Sequence, residues 1–189
     1  MKLLHLDSSI LGENSVSRSV SAAVVAQLEN AHPDLDVAYR DLVAQPLDHL
    51  TLAALADPTY VDEFLAADVV VIGAGMYNFG LPTQLKAWID RVAIAGKTFR
   101  YTEAGPQGLA GGKRVIVALA RGGYYGAGSA AEVMEHAETY LRGVFGFMGV
   151  TDVEFIIAEG IAIGPEQRQT ALAGALAAAE NLTPLKRAA

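Results

Sequence analysis

The chain has 189 residues and a formal net charge of −7, and it is 52% hydrophobic and 19% charged. This length and apolar content predict one globular domain over residues 1–189 rather than a disordered chain. The negative charge argues against a nucleic-acid-binding protein, which needs clustered Lys and Arg. The nearest approach to such a cluster, Lys186-Arg187, suggests a solvated tail. The absence of cysteine excludes disulfides, thiolate catalysis and cysteine-ligated metals.

The sequence also predicts a cytoplasmic protein without membrane contact. Asp7 interrupts the N-terminal apolar run too early for a signal peptide. The most apolar stretch, Val69 to Ala74, is too short to cross a bilayer. No metal site is expected, because no histidine has a partner at metal-ligand spacing. The four histidines are His5, His32, His49 and His136.

Strand-like apolar runs and helix-like periodicities alternate along the chain. In order, they predict a strand over 2–7, a helix from 17 to about 33, a strand over 37–42 at a sheet edge, a helix over 59–67, a strand over 68–73, a helix opened by Pro82, a strand over 114–119, a helix from 129 to about 148, a strand over 153–158 and a helix from Pro165. Residues 98–113 read as an irregular surface loop.

Capping boxes are predicted at two helix starts, Thr59 with Asp62 and Ser129 with Glu132. Five strands alternating with helices indicate an α/β fold, a five-stranded parallel sheet with helices on both faces. This strand count favours the flavodoxin-like order over the six-stranded dinucleotide-binding fold.

A hydroxyl-rich loop follows the first predicted strand, where open α/β sheets bind ligands. It contains Ser8, Ser9, Ser15 and Ser17 and leads into a helix. Free N–H groups at the helix N-terminus favour a phosphate there, with the serine hydroxyls as neutral donors. Such residues also serve simply as helix caps and turn formers. Four serines at this point favour the anion site.

Two further loops at strand ends are candidates for ligand contact. Residues 73–82 are apolar and aromatic, and they suit a flat ring system and packing on the core equally well. Gly122-Gly123 allows close backbone approach to a ligand, although alone it suggests a flexible turn. Three such loops at neighbouring strand ends favour a ligand site. Because the sequence shows no nucleophile–base pair, a cofactor is expected to carry the chemistry.

Motifs along essentially the whole chain point to one family. They are Ser8-Ser9-Ile10-Leu11, Ser15-Val16-Ser17, Met76-Tyr77-Asn78-Phe79, residues 98–103, Arg121-Gly122-Gly123 and residues 158–161. Together they resemble the FMN-dependent NADH azoreductases, also described as NADH:quinone oxidoreductases. The stretch from Met76 to Phe79 is the most specific of these motifs.

The resemblance implies an FMN site and a homodimer with its active site at the subunit interface. The residues that would hold the FMN phosphate are Ser9, Ser15, Val16 and Ser17. Those that would line the isoalloxazine are Met76, Tyr77, Asn78 and Phe79. Those that would meet its pyrimidine edge are Ala120, Arg121, Gly122 and Gly123. Tyr101, Tyr125 and Phe147 would face substrate. Tyr101 and Phe147 would do so from the mobile loop or from the partner chain. The sequence alone is equally compatible with Phe147 packing inward against the core of its own chain.

Two positions depart from the family pattern. Ala120 replaces a common serine and loses one hydroxyl contact with FMN. Tyr125 stands where relatives often have histidine, which leaves acceptor preference open. The resemblance implies that NADH or NADPH delivers hydride to N5 of FMN and that quinones or aromatic azo compounds then take it, in a ping-pong sequence without a catalytic side chain.

Two functions of other classes compete with this interpretation. A flavodoxin-type one-electron carrier would need a strongly acidic docking face, and −7 over 189 residues is only moderate. A receiver-type signalling domain would need a lysine after the fifth strand, and residues 158–160 contain none. The sequence therefore favours the enzyme.

Overall fold

The computed structural model describes residues 1–183 and 185, and the predicted Lys186-Arg187 tail lies outside them. Five of the strands within this range form one parallel sheet, and two form a separate hairpin. In chain order the strands are β1 (Lys2–Asp7), β2 (Asp36–Asp41), β3 (Val69–Gly75), β4 (Phe99–Thr102), β5 (Gly105–Gly108), β6 (Arg114–Ala120) and β7 (Asp152–Ala158).

The parallel sheet has the order β2-β1-β3-β6-β7, and every neighbouring pair is parallel. The chain runs outward from β1 to β2, returns to β3 on the other side of β1 and continues through β6 to β7. The winding therefore reverses between β1 and β3, where such sheets open a crevice at their carboxyl edge. The predicted flavodoxin-like fold and the edge position of the second strand are confirmed.

Helices cover both faces of the sheet. They are α1 (Val16–Ala31), α2 (Leu52–Ala56), α3 (Thr59–Ala66), α4 (Thr83–Val92), α5 (Ala137–Phe147) and α6 (Pro165–Glu180). One face packs against α1 and α6, and the other packs against α3, α4 and α5. None of the helices formed by the described residues combines the length and apolar character that a membrane crossing requires.

The central strands form because their side chains are apolar on both sides. In β3, Val70 and Ile72 belong to one core and Val69 and Val71 to the other, and each is at most 2% exposed. Such continuous β-branched runs are typical of parallel strands covered on both faces. The sheet thus separates two cores, and its carboxyl edge positions the loops of the candidate site.

The two predicted capping boxes are wrong. Thr59 is already helical, and its N–H donates to Asp57 Oδ1 at 3.0 Å. Ser129 precedes a short 3₁₀ turn, and α5 begins only at Ala137. There the Glu135 carboxylate accepts hydrogen bonds of 2.8–3.0 Å from the first three amides of the helix. In both cases a carboxylate two residues before the helix binds the free N–H groups, which favour negative charge.

The segment predicted as an irregular loop instead contains the antiparallel hairpin β4–β5. The hairpin continues over the end of α5, where Ala110 N–H donates to the Met148 carbonyl at 2.8 Å. A Cβ atom on Gly108 would lie 2.2 Å from the backbone nitrogen of Gly149. The contact is therefore made between backbones, and position 108 has no room for a side chain.

Candidate functional site

A cleft of about 200 Å³ opens at the carboxyl edge of the sheet, between the loops that follow β1, β3, β6 and β7. One wall is the start of α1, and the other is formed by residues 161–162 and the first turn of α6. Ligands of open α/β sheets bind at this position. A larger cavity of about 960 Å³ lies at the opposite edge of the sheet, and none of the predicted site residues lines it.

Two buried serine hydroxyls lie at the N-terminus of α1. Ser15 is the N-cap, and its Oγ accepts from the Arg18 N–H at 3.3 Å. Ser17 Oγ lies 3.1 Å from Ser15 Oγ. The first-turn N–H groups have no intrahelical partner, and they lie beside these hydroxyls. Hydroxyls and amides together suit a phosphate.

Arg18 anchors the serine loop from behind. Its guanidinium donates two hydrogen bonds of 2.7 and 2.8 Å to Asp41 and two of 3.0 and 3.1 Å to the Ser9 carbonyl. The hydrogen bond from Arg18 lowers the pKa of Asp41 from 3.8 to about 2, and backbone N–H groups of the following turn assist. Asp41 is therefore ionised at neutral pH, and the anchor is intact there.

The loop after β3 ends in a tight turn that presents Asn78 and Phe79 to solvent. Tyr77 and Gly80 exchange two backbone hydrogen bonds of 3.0 Å. The φ angles of Asn78 and Phe79 are +47° and +71°, which match a type I′ turn. Asparagine tolerates this region, but phenylalanine rarely adopts it. Such backbone strain clusters at functional sites, which makes this turn a candidate ligand contact.

The loop after β6 is held by a buried arginine. Arg121 is 1% exposed, and its guanidinium donates to Glu159 at 2.8 Å and to Glu138 at 2.7 Å, with Glu135 at 3.3 Å. Burial raises the pKa of Glu135. Hydrogen bonds from helix amides and a Thr hydroxyl, together with the charge of Arg121, lower it by more, so the pKa lies below its ordinary value. The buried Arg121 side chain is thus committed to three partly buried glutamates and does not line the cleft.

Glycine amides remain available next to Arg121. Among the described residues, the N–H groups of Gly122 and Gly123 find no acceptor, whereas their carbonyls accept from Ala162 and Gly160 at 3.0 and 3.1 Å. The carbonyl groups of the paired glycines are therefore held by hydrogen bonds, and their two N–H groups remain as donors for a ligand.

The three residues predicted to face substrate lie in two places. The Tyr125 ring contacts Phe79 edge-on, with ring centroids 6.0 Å apart, beside the cleft. Tyr101 is 74% exposed on the hairpin and contacts Phe99, which in turn packs 4.5 Å from Phe147. Phe147 ends α5, which places it about 14 Å along the axis from Glu138. Within one chain, neither Tyr101 nor Phe147 lines the cleft.

Most predicted cofactor residues do line the cleft. They are Ser9, Ser15, Val16, Ser17, Met76, Tyr77, Ala120 and Gly122. Four others lie outside its wall: Asn78, Phe79, Arg121 and Gly123. Five further lining residues were not among the predicted cofactor residues: Leu11, Gly75, Ile161, Ala162 and Arg168.

Arg168 lines the cleft although it was not among the predicted cofactor residues, of which those for the phosphate were expected to offer neutral donors to the anion. It stands in the first turn of α6, across the cleft from the α1 serines. The rule that ligands lie beyond the carboxyl ends of strands applies equally to the loop after β7 and to the helix that it enters. Applied to the loop after β7, the rule would have named Arg168 as a candidate lining residue.

Comparisons with known proteins agree with this geometry. A model of a family described as having a flavodoxin-like fold matches residues 1–182. The FMN-dependent NADH:quinone oxidoreductase 2 of Bradyrhizobium diazoefficiens is 60% identical, over 96% of this chain and 98% of that protein.

Two solved structures show the same architecture. An azoreductase from Bacillus anthracis str. Sterne superposes with a TM-score of 0.87 at 30% identity, over 95% of this chain and 97% of its own. An FMN-dependent NADH-azoreductase from Bacillus anthracis str. Ames Ancestor, solved in complex with FMN, gives 0.81 at 25% identity, over 94% and 97%. With its cleft at the β1/β3 reversal, the chain belongs to the FMN-dependent NADH:quinone oxidoreductases, oxidoreductases built on the flavodoxin-like fold.

Proposed function

We propose that this chain binds FMN in the cleft and transfers hydride from NADH, or NADPH, to quinones and aromatic azo compounds. The two substrates use the site in turn, in a ping-pong sequence. The observation that carries the proposal is that the serine-capped start of α1 lines the same cleft as Met76 and Tyr77, directly before the strained turn at Asn78 and Phe79. We also propose that residues 1–189 form a single FMN-binding domain. The cytoplasmic location stays a prediction.

The residues of the cleft fit the two ends of FMN. Ser15 and Ser17 would bind the phosphate together with the first amides of α1. Met76 and the Tyr77–Gly80 turn would lie along the ring, and the Gly122 and Gly123 N–H groups would donate to its polar edge. Bound FMN supplies the hydride-accepting atom, and the chain supplies position and electrostatics. Val16 and Ala120 would offer backbone and apolar contact only.

Anaerobic titration with NADH tests the proposal. The purified protein should be yellow and release about one FMN per chain on denaturation, and one equivalent of NADH should bleach it in a two-electron step. Addition of a quinone should then restore the colour. Recovery of FAD, or a colourless protein that does not respond to added FMN, would contradict the proposal. Accumulation of one-electron-reduced flavin during the titration would favour the carrier protein instead.

The proposed active unit is a homodimer in which Phe147 reaches the flavin site of the partner. Within its own chain, Phe147 lies at the far end of α5 and remains half-buried against Phe99. A second chain is therefore needed to bring this ring to a cleft. Interfaces favour Phe, Tyr and Met and draw most of their energy from a few such residues.

Phe147→Ala is expected to lower kcat/KM for quinones about tenfold, the effect of losing one aromatic contact worth about 1.4 kcal/mol. The rate of flavin reduction by NADH should change much less, since the ring is proposed to hold the flat acceptor against the flavin. Phe99→Ala is the matched control, because it removes the same ring contact within the chain. Light scattering that gives the mass of a single chain, with full quinone reductase activity at the same dilution, would disprove the dimer.

A further inference from the structure

Arg168 is the one charged side chain among the described residues that line the cleft. It is the fourth residue of α6, and its backbone N–H donates to the Gly164 carbonyl at 2.9 Å. The helix therefore fixes the position of the backbone from which the side chain extends. Ser15 and Ser17 form the opposite wall of the same cleft. The guanidinium therefore stands at the end of the cleft where the anion site lies.

The charge of Arg168 is not neutralised within the described part of the chain. No Asp or Glu oxygen lies within 4.0 Å of its guanidinium there, whereas Arg18 is paired with Asp41 and Arg121 with three glutamates. Arg18, the nearest arginine in sequence to the α1 serines, is thus committed elsewhere. Arg168 is the cation left for an anionic ligand.

The guanidinium is also held in place. One of its terminal nitrogens donates to the carbonyl of Asn14, the residue directly before the α1 N-cap. An arginine has five N–H donors in a planar fork, so this bond leaves several free. The anchor residue adjoins Ser15 in sequence, and Arg168, Ser15 and Ser17 line the same cleft.

We propose that Arg168 binds the FMN phosphate and thereby makes the site select FMN over riboflavin; this inference rests on the proposed function. A phosphate monoester carries a charge of about −1.5 to −2 at neutral pH. The α1 terminus offers only about half a positive charge. Arg168 adds a full unit and charge-assisted hydrogen bonds. Riboflavin has the same ring and ribityl chain but no phosphate, so it gains nothing from Arg168.

Fluorescence titration of apoprotein with FMN and, separately, with riboflavin tests this role without measuring turnover. Arg168→Gln should raise the FMN dissociation constant about tenfold and leave the riboflavin constant within about twofold. Arg168→Lys, which keeps the charge, should retain most of the FMN preference. The FMN difference should shrink as salt is added, because the side chain is only half-buried. Arg100→Gln removes an equal charge from the exposed hairpin and should leave both constants unchanged.

Two results would overturn the inference. Unchanged FMN binding in Arg168→Gln would show that the arginine does not contact the phosphate. Equal weakening of FMN and riboflavin would show that it only supports the loop through Asn14. Failure of the unaltered protein to bind either flavin would contradict the proposed function itself, so the two failures can be told apart.

Discussion

Replacing Arg121 by methionine is expected to lower the free energy of unfolding by about 3–5 kcal/mol, the usual effect of breaking a buried charge cluster from one side. The guanidinium is 1% exposed and faces Glu135, Glu138 and Glu159. Methionine fills much of the same volume but leaves three carboxylates without their shared cation. Urea unfolding at neutral pH measures the loss.

Arg142→Met is the matched control. Arg142 also pairs with Glu138, but its side chain is 51% exposed, so its removal should reduce stability by about 1 kcal/mol or less. The pH dependence gives a second check. Carboxylates crowded without a cation have raised pKa values in the folded state, so the Arg121→Met deficit should shrink as the pH falls and they protonate. Equal losses for the two variants would contradict the buried cluster.

Ser17→Ala is expected to weaken FMN binding by roughly 1.5–3 kcal/mol, or about 10- to 100-fold, because the hydroxyl would bond a charged phosphate. Turnover at saturating FMN should remain near normal, since this end of the cleft is remote from the ring. Ser19→Ala is the control, because Ser19 lies on the same helix but is exposed and donates only to the Ser15 carbonyl. Fluorescence titration gives the FMN constants.

Changes at Asn78 should have the opposite effect, with lower turnover at saturating FMN and a smaller change in FMN affinity. Asn78→Ala removes a side chain beside the ring but also strains the turn, because φ there is +47°. Asn78→Gly removes the same side chain without that strain and separates the two causes. If Ser17→Ala and both Asn78 variants behave alike, the loops do not divide the binding and catalytic tasks.

The parts of the fold that follow local rules could be predicted from the sequence. The strands β1, β3 and β6 are apolar runs covered on both faces, and such runs are recognisable without tertiary information. The hairpin could not be predicted in this way, because Gly105–Gly108 contains none of the β-branched or aromatic residues that signal a strand. Its pairing depends on the backbone contact with the end of α5.

The candidate site divides in the same manner. The α1 serines and the Met76–Phe79 motif lie at strand ends, so the rule for open sheets and the family resemblance located them. The burial of Arg121 could not be read from its neighbours, because its three glutamates lie 14, 17 and 38 residues away in sequence. Arg168 contacts Asn14 from 154 residues away, and only the packed fold joins them.

The backbone contact between Gly108 and Gly149 bears on which positions of the hairpin can vary. At Gly108 and Gly149 the hairpin and the end of α5 approach through their peptide groups. Tyr101, on that hairpin and 74% exposed, can therefore be exchanged for other residues without moving its support. Under the proposed function, variation at the exposed hairpin positions is expected to change the range of acceptors, while Gly108 and Gly149 remain fixed by their backbone contact.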